Sequence, residues 1–278
     1  MKMFNGKALY NPAGKAGEYA AWACNFYVGC SNGCKYCYLK KGRGKSILGG
    51  DRPVLKKCFK DEGDALKVFE KEVLANLDEL RKHGLFFTFT SDPLLERTIN
   101  MTYQGIRLCL DYKIPVKILT KRADWIGGYM IRNGNKFIDF PNNILSVHRH
   151  LIAFGFTLTG FDDMEPNASP NMQRIDAMNE LHKAGFKTWA SIEPVISISE
   201  SLAMINMSNA FCDLYKIGLE SGRRYPKQDL QIFVEMICAM FPSSRFYFKD
   251  TLLKQAGIER SELPSNCVDR DYNVFKQS

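Results

Sequence analysis

The chain contains no unbroken run of about 18 apolar residues, so it offers no helix of membrane-spanning length. Its opening stretch, MKMFNGKALYNPAGKAG, has no apolar segment of the signal-peptide kind. Together these absences lead us to expect a cytoplasmic protein with no membrane partner. There is no low-complexity linker either, so residues 1–278 are read as one domain with a core over about 19–257. Histidine is scarce. None of His83, His148, His150 and His182 stands at zinc-ligand spacing from a cysteine pair. GRGKS at 42–46 lacks the earlier glycine of a phosphate loop, since Leu39 holds that position.

What is present is an odd set of nine cysteines. Six are scattered, at 24, 58, 109, 212, 238 and 267, and read as small hydrophobes in a reducing compartment. The other three lie within eight residues, in GCSNGCKYCYL at 29–39, with no fourth beside them. Directly after them, residues 40–60 carry eight Lys or Arg against Asp51 alone, a net +7 out of the chain's +8. Such a Gly-rich basic loop attracts an anionic partner, nucleic acid first among them, although a solvated lysine-rich loop has the same composition.

Beyond residue 60, strand and helix patterns alternate. Apolar β-rich runs at 85–90 (LFFTFT), 115–120, 151–158, 186–192, 212–219 and 245–249 follow a first run at 19–27. Helical spacing is read at 101–111, 122–131, 172–184 and 229–240, with a short helix capped by Ser199. A serial βα repeat predicts an α/β fold with parallel strands, a partial (βα)6 TIM-like barrel. A hairpin turning at Asn133-Gly134 interrupts it at 129–140, and the tail from 261 is a lid or a loose end.

In such folds ligands bind where the strands' carboxyl ends meet. There the sequence places Thr90-Ser91-Asp92, Thr120-Lys121, Thr157 to Thr159, Ser191 with Glu193, and Glu220 with Ser221. Glu193 and Glu220 follow apolar strands and are the acid–base candidates. Asp162, Asp163 and Glu165 follow a strand end and fit either acid–base work or, more simply, a solvated or helix-capping loop, and His148 to His150 fit either a metal or polar surface. Arg223 and Arg224 fit either a phosphate or nearby acids.

Three thiolates do not close a structural zinc site, which takes four ligands. A four-iron cluster held by three leaves one iron open, as a reacting centre needs. Cys30-x3-Cys34-x2-Cys37, with Tyr36 before the last cysteine, resembles the signature of the radical SAM superfamily. That resemblance implies a 4Fe–4S cluster on the three cysteines, S-adenosylmethionine on its open iron, and Tyr36 against the adenine. KYCYL, TSDP at 90–93, TK at 120–121 and EPNASPNMQR at 165–174 are similar to spore photoproduct lyase and its relatives. SIEP at 191–194 and IGLESG at 217–222 are similar to a phage-associated radical SAM family of unknown function.

Carried over, the resemblance puts Tyr38 beside the adenosyl group as a catalytic candidate. Thr90, Ser91, Asp92, Lys121, Thr157 or Thr159, Arg174 and Ser191 become cofactor-binding candidates, Lys121 through the methionine carboxylate. It also implies flavodoxin or ferredoxin as electron donor. One position departs: where the DNA-repairing lyases have a hydrogen-donating cysteine before TSD, this chain has Phe89. The expected activity is radical SAM chemistry on a nucleic acid or nucleotide, of lyase, repair or modification type. A protein or small-metabolite substrate would use the same motifs. A non-catalytic iron–sulfur protein that binds nucleic acid as a redox sensor would need only the cysteines and the basic loop.

Overall fold

The structure, a computed structural model, describes residues 3–42, 44–126, 129–133, 136–140 and 147–275, the two strands within 129–140 as backbone only. Arg43 of the basic loop and Gly134 of the expected turn lie outside the described residues. In chain order the strands are β1 (Leu9–Tyr10), β2 (Ala23–Cys24), β3 (Tyr27–Val28), β4 (Val54–Leu55), β5 (Leu85–Phe87), β6 (Val116–Thr120), β7 (Tyr129–Asn133), β8 (Lys136–Phe140), β9 (Ile152–Thr157), β10 (Lys187–Val195), β11 (Leu214–Leu219) and β12 (Phe246–Phe248).

Eight of them form one sheet, ordered β1-β2-β5-β6-β9-β10-β11-β12. β1 is antiparallel to β2 and every other neighbouring pair is parallel. Parallel neighbours require crossovers, and helices supply most of them. Glu62–Ala75 and Leu77–His83 precede β5, Ile99–Asp111 precedes β6, and Asn171–Lys183 precedes β10. Ile198–Ser208 precedes β11, Lys227–Met240 precedes β12, and Asp250–Ala256 follows it. The expected alternation of strand and helix is therefore the observed architecture.

Two local expectations fail. No helix spans 122–131: a turn at 124–126 leads into β7, which pairs with β8. Gly127-Gly128 in that stretch explains this, since each glycine costs a helix about 1 kcal/mol against alanine. The cap of Ile198–Ser208 is Ser197, not Ser199, because Ser197 has the extended backbone from which its side chain accepts from Glu200 N.

The strands' period of two sorts side chains between two cores. Leu85 and Phe87, Ile152 and Phe154, Ala190 and Ile192, and Tyr215 and Ile217 pack outward against the helices. Phe86, Ala153, Trp189 and Leu214 turn into the lumen with Tyr19, Ala20 and Ala23. Gly155 is needed there, because a Cβ on it would lie 2.1 Å from the Trp189 ring. The same alternation sends Lys117 and Lys216 inward, and burial lowers the Lys117 ammonium to about 8. Lys216 Nζ donates to the carbonyl of Glu18 at 2.5 Å.

The described part of the tail is packed against the barrel and not loose. Val268 N donates to the carbonyl of Phe246, the first residue of β12, and Val268, Tyr272, Val274 and Phe275 pack into the lumen core. The tail therefore sits at the strands' amino end, where apolar lumen needs covering. Its last three residues lie outside the described part.

Candidate active site

At the opposite, carboxyl end of the strands lies a cavity of about 270 Å³. Cys30, Cys34 and Cys37 line one wall with Asn32, Tyr36, Tyr38, Ser91, Asp92 and Lys121. Lys15, Tyr19, Ser191, Glu193, Glu220, Ser221 and Lys249 line another, with Phe89 and Thr157 also on the surface. The strand ends singled out in the sequence thus meet in one place.

The cysteine loop is shaped from three sides. Gly29 has φ +85°, and a Cβ there would come within 2.4 Å of the Arg52 carbonyl. Cys30 N donates to Gly50 O at 3.0 Å, which seats the loop on the basic segment. Gly33, at φ +72°, lies so close to Pro166 and Asn167 that a Cβ would crowd both. Lys35 N donates to Met164 O and Asn167 N to Asn32 O, binding the loop to 164–167. Burial pushes the Cys30 thiol up to about 12 and raises that of Cys34, where Lys121 opposes the rise. Metal binding at this wall would therefore release protons.

Asp92 is the hub of this wall. Oδ1 accepts from Leu94 N and Thr120 Oγ1, while Oδ2 accepts from Asn32 Nδ2 and Lys121 N, all at 2.7–3.0 Å. With both oxygens occupied, it ties the cysteine loop to the end of β6 rather than offering itself to a ligand. Asn32 Oδ1 and Ser91 Oγ are the opposite case: both are buried at the cavity wall and have no partner among the described residues. A buried polar atom without a partner is costly, so this wall is built for a ligand with polar groups.

Three cofactor-binding candidates are turned away from the cavity. Thr90 Oγ1 donates to the carbonyl of Tyr27 at 2.5 Å. Thr159 is buried, its N donating to Asn171 Oδ1 and its hydroxyl directed at Glu165. Arg174 is completely buried: Nε donates to Ser169 O at 2.7 Å and Nη1 to Thr157 O at 2.8 Å. Its Nη2 forms an ion pair with Glu165 Oε2 at 2.7 Å, without hydrogen-bond alignment. Each of these side chains is engaged by protein groups and none of the three lines the cavity.

Glu165, expected on a solvated loop, is fully buried and organises the floor of this wall. Tyr36 donates its hydroxyl to it, and Lys121 Nζ lies 3.8 Å from its Oε1 and 5.6 Å from the Tyr36 ring centre. Burial disfavours the Lys121 charge, but Cys34 and Glu165 outweigh it and hold the ammonium above its ordinary value. Tyr38 donates its hydroxyl to the Phe89 carbonyl, and the Phe89 ring stacks on Phe86 at 4.3 Å.

The facing wall contains residues that strand-end reading missed. Tyr19 donates to Glu193 Oε2 at 2.5 Å, and Lys249 pairs with the same oxygen. Since the Tyr19 proton is committed to Glu193, Ser191 Oγ must be the donor in its 2.7 Å contact with Tyr19. Lys249 Nζ also lies 3.9 Å from the Tyr19 ring centre, and Gly218 leaves the room: a Cβ there would strike both Lys249 and Glu193. The missed signal is the period of β12, which with Phe246 and Phe248 outward turns Lys249 inward. Tyr19→Phe and Lys249→Met should be non-additive in urea unfolding, with a coupling of about 0.5–3 kcal/mol. Strict additivity would show that Glu193 does not join them. At the mouth, Glu220 takes Lys41 of the basic loop at 3.0 Å and Lys15 donates to Ser221 Oγ.

No protein-family model matches the chain. An uncharacterised protein of Methanocaldococcus jannaschii is 26% identical over 219 residues, 74% of each chain. Among solved structures, Streptococcus suis SuiB bound to S-adenosylmethionine superposes with a TM-score of 0.54 at 12% identity, over 84% of this chain. Spore photoproduct lyase complexed with dinucleoside spore photoproduct gives 0.51 at 15% identity, over 86%. This chain spans about half of SuiB (51%) and 65% of the lyase. The chain thus shares the fold of these two structures, the expected partial barrel of mainly parallel strands. Among the described residues, no helix is long and apolar enough to cross a membrane.

Proposed function

We propose that the protein is a radical SAM enzyme whose Cys30, Cys34 and Cys37 hold a 4Fe–4S cluster and whose cavity takes S-adenosylmethionine. One observation carries this reading: three cysteines and two unpartnered buried polar atoms, Ser91 Oγ and Asn32 Oδ1, share one wall of a cavity at the strands' carboxyl ends. The donor set fits the group. Among the described residues no three His, Cys, Asp or Glu side chains converge on a single metal ion. A cluster, which spreads its thiolates over several irons, does not need them to.

When bound, the pair supplies reductive cleavage of the sulfonium to methionine and a 5′-deoxyadenosyl radical. The chain's part is placement. Lys121 stays charged and suits a carboxylate, Asn32 Oδ1 accepts from an ammonium, and Ser91 serves either. Tyr36 is fixed through Glu165 to present its ring. Phe89, Tyr19 and Leu119 add apolar surface to the cavity beside the polar wall.

The substrate class we favour is a nucleic acid or nucleotide, docking over the basic 40–60 loop. The Lys41–Glu220 pair supports this, because it brings that loop to the cavity mouth. Flavodoxin or ferredoxin would deliver the electron. The test is anaerobic: reconstitute with iron and sulfide, add dithionite and S-adenosylmethionine, and measure 5′-deoxyadenosine with and without DNA, RNA or nucleotides. The expected result is cluster-dependent product, stimulated by a nucleic-acid component in a salt-sensitive way. A formed cluster that never cleaves the cofactor would overturn the enzymatic reading. Cleavage that no nucleic-acid component stimulates would overturn only the substrate class.

A further inference from the structure

At the amino end of the barrel, away from the cavity, two cysteines distant in sequence meet. Cys238 lies near the end of helix Lys227–Met240, and Cys267 lies in the tail. Their sulfurs are 3.5 Å apart. The contact is not a chance approach of two loose segments. Phe246 N donates to Asn266 O and Val268 N to Phe246 O, so Cys267 is held from both sides against the first residue of β12. Cys238 is held by its helix, which packs Leu230, Phe233, Val234 and Ile237 into the outer core. A disulfide bond is about 2.05 Å long, so about 1.5 Å of approach separates the pair from bonding.

The two sulfurs also differ from the other cysteines. Cys24, Cys109 and Cys212 are buried, Cys58 is exposed, and Cys30, Cys34 and Cys37 belong to the cavity. Cys238 and Cys267 are both only partly buried and lie outside the cavity. Either sulfur can donate in this contact, and their mutual hydrogen bond lowers the Cys238 thiol below its ordinary value and raises that of Cys267. One sulfur is thus the nucleophile and the other its resolving partner.

We propose that Cys238 and Cys267 are a redox-active dithiol that is oxidised to a disulfide by exchange with a small disulfide compound of the glutathione type. The Cys238 thiolate attacks one sulfur of the small disulfide, forming a mixed disulfide and expelling one thiolate. The Cys267 thiolate then attacks Cys238 Sγ, closing the protein disulfide and expelling the second. The protein loses two protons and two electrons, and the small disulfide becomes two thiols. The crosslink joins helix Lys227–Met240 to the tail whose Val268, Tyr272 and Val274 cover the lumen. This inference does not depend on the chemistry of the cavity.

The test uses the full chain with its cluster reconstituted, equilibrated anaerobically with oxidised glutathione. Free thiols are alkylated and the peptides read by mass. The expected product is a Cys238–Cys267 crosslinked peptide, reversed by dithiothreitol, with a melting temperature higher by roughly 5–10 °C, as expected for closing a loop of this size. Cys267→Ser should give no crosslink and no rise, and should leave glutathione on Cys238. The proposal is overturned if both residues stay alkylatable, if each carries its own glutathione, or if the wild-type shift persists in Cys267→Ser.

Discussion

Replacing any one of Cys30, Cys34 and Cys37 with alanine is expected to abolish iron–sulfur absorbance after reconstitution and to bring 5′-deoxyadenosine down to background. Two remaining thiolates cannot hold a four-iron cluster that already leaves one iron without a protein ligand. The three side chains are only partly buried, so the variants should fold, with unchanged circular dichroism. Cys58→Ala is the matched control: it is exposed, close in sequence, and absent from the cavity wall. It should retain cluster and activity. Loss of the cluster in Cys58→Ala, or its retention in all three of the others, would remove the basis of the proposed function.

Arg174→Met is expected to destabilise the fold by about 3–5 kcal/mol, read from the midpoint of urea unfolding. The substitution leaves the Glu165 carboxylate with no exposed side-chain surface and, among the described residues, only Lys121, at 3.8 Å, as a cation. It also removes the donors to the Ser169 and Thr157 carbonyls, in a region closed to water. Glu165→Gln with Arg174→Met should recover part of the loss, because a neutral amide costs less to bury than an unpaired charge. A loss below about 1 kcal/mol in Arg174→Met would mean that Glu165 is not held there as an anion.

The chemistry-bearing loops were legible because their types and spacing are local. Three cysteines in eight residues and a polar group after each apolar run need no tertiary information to be noticed. Roles were harder to read than positions. Ser91 and Asp92 are adjacent and equally polar, yet one has an unpartnered hydroxyl and the other spends both oxygens on Asn32, Leu94, Thr120 and Lys121. Nothing in the local sequence distinguishes them, since three of the four partners come from two other segments. Glu165 was misplaced for the same reason. It follows Asp162 and Asp163 in a short loop, while its burial comes from Arg174, Tyr36 and Lys121.

The sequence by itself determined the parallel α/β repeat, the three-cysteine loop and the basic segment, because periodicity and ligand spacing are properties of neighbouring residues. Only the tertiary structure decided which polar groups are consumed by the protein and which are left for a ligand. It also decided that Tyr19 and Lys249 share an oxygen of Glu193, that the tail covers the lumen, and that Cys238 touches Cys267. Those outcomes depend on contacts between residues 22 to 230 positions apart along the chain, set by how the sheet curves and not by any local preference.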